Sequence, residues 1–169
     1  MATVTFKKGD EYLAKISKLE VLAKRDVIGP AIYAAADIVA DAIREELGHV
    51  PVDDSHWTSF DKKRGPQTYQ LEGLARSLGI SHMQEDDKGF MNVKIGFDGY
   101  NGLKSSRWPK GQPNQMVARS VDRGTSFMEA NPFVKTAVAG TRKRAVETMK
   151  DKVDEGIARV MDSGPGNKT

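Results

Sequence analysis

Cysteine is absent from the 169 residues, which excludes disulfides, thiol catalysis and cysteine-ligated zinc and fits assembly in a reducing cytoplasm. A chain of this length closes a hydrophobic core without such staples. Long apolar runs are missing too: no stretch approaches the roughly 18 residues of a membrane span. The opening MATVTFKKGDEYL has no apolar segment behind its charges, so the chain reads as soluble and unexported. Charge of one sign is scarce, since 26 Lys and Arg face 23 Asp and Glu. A net +3 does not announce a nucleic-acid binder.

What is present is helical periodicity broken by two long polar segments. Thr3 to Phe6 alternate like a strand, and Asp10 offers a capping oxygen to a helix carrying Leu13, Ile16, Leu19 and Leu22. After Gly29-Pro30 a second helix is predicted over 30–48 from Ile32, Ala36, Val39, Ile43 and Leu47, with Gly48 to end it. Its many alanines would let a neighbour approach closely. A short helix spans Leu71 to Leu78. Two strands, Ile80 to Gln84 and Phe90 to Phe97, flank the charged turn Glu85 to Gly89 as a hairpin. Helix is predicted again over Asn114 to Arg123. Asn131-Pro132, read as an N-cap and a first helical proline, opens a last helix reaching Asp162.

These elements predict an α+β fold: a single domain over 1–162 with a small antiparallel sheet packed against two long helices, two long polar loops, and a flexible tail over 163–169. Val39, Ile43, Val93, Ile95, Phe97, Val138, Ala145 and Met149 are the predicted core.

Both loops mix aromatic and basic residues. The first, His49 to Gln70, carries Trp57, Phe60, Lys62, Lys63, Arg64 and Tyr69; the second, Asp98 to Pro113, carries Tyr100, Lys104, Arg107, Trp108 and Lys110. Loops of this length in a compact domain are usually functional or disordered. Their composition suits either single-stranded nucleic acid or a protein interface. Trp57, Phe60, Tyr100, Lys104, Arg107 and Trp108 are the partner-contact candidates.

His49, Asp53, Asp54 and His56 bring two imidazoles and two carboxylates into one segment. The spacing lacks the shared helical face of a His-Glu-x-x-His site, because Pro51 and Gly48 interrupt it. Gly96, Gly99 and Gly102 do not space as a phosphate cradle, and Ser105 and Ser106 have no nucleophile elbow. No catalytic, metal or cofactor residue is therefore assigned. Arg142-Lys143-Arg144 stand among acids on the last helix and read as a solvated, ion-paired face.

Several stretches together, IYAAADIVADAI, EGLARSLGI, NVKIGFDGYN and PNQMVARSVDRGTSFMEANPFVKTAV, resemble in this order the minor tail or tail-completion proteins of long-tailed double-stranded DNA bacteriophages. The resemblance runs from about Gly9 to about Asp162. Its most diagnostic part lies between Arg119 and Phe133. It implies a non-enzymatic virion protein, assembled in the host cytoplasm, that completes the tail and joins it to the head as a homo-oligomeric ring. The implied partners are further copies of itself in a hexamer, adjacent neck and tail-terminator or tail-tube proteins, and DNA passing non-specifically through the channel; no membrane is implied. The alternatives are a nucleic-acid-binding module using the basic and aromatic loops, and a metal-dependent nuclease using Asp53, Asp54, His49 and His56.

Overall fold

The computed structural model describes residues 9–55, 63–102 and 104–162, and for 9–24 and 160–162 the backbone only. The opening strand, the side chains of Leu13, Ile16, Leu19 and Leu22, the segment holding His56, Trp57 and Phe60, and the tail lie outside what is described. Within it the fold is α+β, with four helices and two small antiparallel strand pairs.

Helix α1 (Gly9–Gly48) is continuous through Pro30, where the sequence predicts a boundary between two helices. A proline inside a helix removes one backbone hydrogen bond and crowds the preceding turn, a cost of about 3 kcal/mol. Packing on both sides of Pro30 outweighs that cost. Val27, Ala31, Ala35 and Ala40 are all buried, along the most extensive contact between elements, that of α1 with helix α4 (Phe133–Asp162). At Gly156 of α4 a Cβ would lie 2.9 Å from Val27 Cγ1, while Phe133 clusters with Leu47. The two helices are thus antiparallel and closely approached, as the alanines of α1 permit.

That close approach corrects part of the predicted core. Phe133, Ala137, Thr141 and Ala145, every fourth residue in the first half of α4, are buried, and so is Gly156. Val138 and Met149 are 44% and 36% exposed. Small side chains face the alanine stripe of α1 because only they fit at that distance, and the larger apolar residues are rotated outward. Ala145 and Ile43 are buried as expected, and Val39, Val93, Ile95 and Phe97 are half-buried.

Helix α2 (Thr68–Ser77) leads into β1 (Leu78–Ile80). The hairpin then continues through β2 (Gln84–Glu85), β3 (Met91–Asn92) and β4 (Ile95–Phe97). Each predicted strand is broken in two. Ile80 pairs with Ile95 but Gln84 with Asn92, so residues 81–83 stand opposite 93 and 94 as a bulge. Polar groups fill the gap: Tyr33 Oη of α1 accepts the Met83 N–H (2.9 Å), and Ser81 Oγ accepts the Lys94 N–H (2.9 Å). Lys94 is exposed while its neighbour Ile95 packs on the core, the predicted choice of face.

Helix α3 (Asn114–Arg123) turns Val117, Ala118 and Val121 into the same core, beside Leu74 and Phe133. Its Asp122 performs the capping expected of Asn131. Asp122 Oδ1 accepts the N–H groups of Val134 (2.9 Å) and Lys135 (3.4 Å) in the first turn of α4, a contact typically worth about 1 kcal/mol. Asn131 instead donates from Nδ2 to the carbonyl of Arg64 at 3.0 Å.

Candidate interaction surface

The two long loops meet at a cleft. Its floor is apolar, made by Met116, Val117 and Val121 of α3 with Phe127 and Met128, and its volume is about 320 Å³. Asp53, Lys63 and Gln67 of the first loop and Gln112 of the second form its polar rim. The loops touch where Gln70 Nε2 donates to Gln112 Oε1 at 3.5 Å.

The described parts of the first loop are held by their carboxylates. Asp53 accepts from the N–H of Ser55 and of Arg64, each at 3.1 Å, and from the Ser55 hydroxyl. Lys63 Nζ lies 3.6 Å from Asp53 Oδ1. Asp54 accepts from Thr68 N–H (2.9 Å) and Thr68 Oγ1 (2.5 Å), at the start of α2. The chain beyond Lys63 is stitched to the turn after α3: Lys63 N–H donates to Phe127 and its carbonyl accepts from Glu129. Gly65 is needed here, because a Cβ would sit 1.7 Å from the Pro51 carbonyl oxygen.

These bonds set the titration of both acids. The Ser55 hydroxyl, then the Arg64 and Ser55 amides, lower the Asp53 pKa from 3.8 to about 2. The Thr68 hydroxyl and amide lower that of Asp54. Since the folded Asp53 carboxyl ionises below its unfolded value, its stabilisation is complete above pH 3.8 and is lost as pH falls through about 2; Asp54, lowered in the same direction, adds to the loss on acidification. Amide exchange at Arg64 and Thr68 is expected to accelerate across that window, and Asp53→Asn together with Asp54→Asn to abolish the transition. An unchanged acid profile in the double variant would refute this role of the two carboxylates.

The second loop is closed at its base rather than free. Asn101 N–H donates to Gln112 C=O (2.8 Å) and Gln112 N–H returns to Asn101 Oδ1 (2.9 Å). Asn114 Nδ2 reaches the Asp98 carbonyl at 2.8 Å. Toward the tip, Ser105 and Trp108 exchange backbone hydrogen bonds of 3.0 Å in both directions. Arg107 Cζ stands 5.9 Å from the Trp108 ring centroid, a cation–π geometry that holds both side chains together. Tyr100 is 56% exposed, Lys104 and Arg107 are exposed, and Trp108 is half-buried.

Of the second-loop candidates, Arg107 and Trp108 are in contact with each other, and Trp57 and Phe60 lie outside the described residues. His49 is at the end of α1, beside a different hollow lined by Glu46 and Phe133. Among the described residues no three His, Asp or Glu side chains converge. The cleft's rim glutamines went unread in the sequence. A partial signal was available: Gln67 and Gln70 stand three apart like a capping box, and Gln70 Oε1 accepts the Gln67 N–H at 3.1 Å.

No protein-family model, curated protein or solved structure matches the chain. Among the described residues no helix is long and apolar enough to cross a membrane.

Proposed function

We propose that this chain is a structural subunit of a phage neck or tail end, which completes the tail and joins it to the head as a homo-oligomeric ring. The observation that carries the reading is how the polar groups are used. The carboxylates of the candidate metal cluster bond to backbone amides and hydroxyls that shape the first loop, whereas Tyr100, Lys104 and Arg107 face outward. Groups with chemical potential maintain the scaffold, and groups suited to recognition are displayed. Large aromatic side chains beside guanidinium and ammonium groups are the usual anchors of protein interfaces.

The test is a variant carrying Tyr100→Ala and Trp108→Ala, assayed for the joining of tails to DNA-filled heads. Normal folding with joining reduced about tenfold or more is the expected outcome for two interface anchors. Joining at the wild-type level would overturn the reading. The nucleic-acid alternative rests on exposed Lys104, Arg107 and Lys110. It requires tight binding of single-stranded nucleic acid that weakens steeply with salt. The nuclease alternative requires metal-dependent cleavage that disappears in Asp54→Ala.

A further inference from the structure

A second cleft, about 230 Å³, lies between β4 and α3 over Ile43, Leu78, Ile95 and Phe97. Arg119 and Arg123 of α3 line it. Four residues apart, they stand on one side of the helix. Both are exposed, and neither has an ion pair among the described residues. Asp122 between them is engaged with the first turn of α4. Asp122 lines the cleft as well, so the wall holds two cations to one anion, and an apolar floor beside that net positive wall suits an apolar side chain next to a carboxylate.

The opposite end of the hairpin has that composition. Asp86 Oδ1 accepts from Lys88 N–H (2.9 Å) and Phe90 N–H (2.8 Å), and Asp86 N–H donates to the Phe90 carbonyl (3.0 Å). This fixed turn displays Phe90 at 66% exposure, the highest of the large hydrophobic residues described. Asp87 beside it is exposed. Within one chain the two features are apart: Phe90 is bonded to Asp86 at the turn while Ile95 pairs with Ile80 at the other end of the hairpin, and Phe90 does not line its own chain's cleft.

We propose that the Phe90 ring of one copy enters the β4–α3 cleft of a second copy, with the acidic turn against Arg119 and Arg123. The contact rests on the self-assembly reading above and names its interface. It uses two different patches, so it is heterologous: every copy keeps a free turn on one side and a free cleft on the other, which builds a ring when the rotation closes. The edge of β4 supports the fit. Ser81 N–H bonds to the Lys94 carbonyl and Asp98 N–H to that of Ser77. With Gly79 opposite Gly96, the backbone groups of 94, 96 and 98 point at β1, and those of Ile95 and Phe97 point away from it.

The experiment is sedimentation of the full chain across a concentration series, as wild type, Phe90→Asp, and Arg119→Ser with Arg123→Ser. Wild type should associate, and each variant should remain near the monomer mass of 18.6 kDa with unchanged thermal unfolding, since all three side chains are exposed. Mixed together, the two variants should form a dimer and stop there, because one intact turn and one intact cleft remain between them. A mixture that stays monomeric, a monomeric wild type, or variants that associate like wild type would each overturn the contact. Association that survives both variants leaves the assembly reading standing, which the joining of tails to heads judges separately.

Discussion

Phe133→Ala should cost about 3–5 kcal/mol of unfolding free energy, the range for removing a fully buried aromatic side chain. Phe133 is 3% exposed and sits where four elements converge. Its ring meets Phe97 of β4 edge-on, centroids 5.9 Å apart. It also clusters with Ile43 and Leu47 of α1 and Val121 of α3. Neighbours held by three helices cannot collapse into the space, so the cavity penalty adds to the lost burial. Denaturant unfolding measures it. Val138→Ala, five residues along the same helix but 44% exposed, should change stability by no more than about 0.5–1 kcal/mol. Similar losses in the two variants would mean that the α4 face is misassigned.

Gly111→Ala should open the base of the second loop. Gly111 has φ of +97°, a region where a side chain strains the backbone by about 1–3 kcal/mol. A Cβ there would also lie 1.9 Å from the Asn101 carbonyl oxygen. The clash is with backbone and not with a flexible side chain, so the strand-like pairing of Asn101 with Gln112 must separate. Amide exchange at both residues reads this directly, and protection should fall about tenfold or more, the equivalent of 1.4 kcal/mol. Gly79→Ala is the control: nothing stands within 4 Å of its Cβ position. Retained protection in Gly111→Ala would show that the pairing does not hold the loop.

If the loop is built as its hydrogen bonds indicate, its display of Tyr100, Lys104 and Arg107 is preorganised, and less ordering cost is incurred when a partner binds. By its length the segment reads as either functional or disordered. What composition did not reveal is that Asn101 and Gln112, eleven residues apart, satisfy each other's polar groups. Of the candidate surface, the projecting residues were therefore legible and their fixed framework was not. Likewise Asp53 and Asp54 were visible as acids, but only the return of the chain at Arg64 and Thr68 shows which donors they accept from.

By itself the sequence determined the elements whose patterns are local. Alternation at Val93, Ile95 and Phe97 marked the hairpin's inner face, three-and-four spacing marked the helices, and the charged run at 85–89 marked the turn. These signals are set by neighbouring residues: Ile95 and Phe97 pack on the core while Lys94 is exposed. Tertiary structure decided what depends on distant partners. Pro30 lies within α1 because α4 covers residues on both sides of it, not because local preference favours helix there. Ala137 and Ala145 face inward in place of Val138 and Met149 because the alanines of α1 leave room only for small side chains. Asp122 caps a helix eleven residues later because α3 ends beside the start of α4, a juxtaposition that no local periodicity encodes.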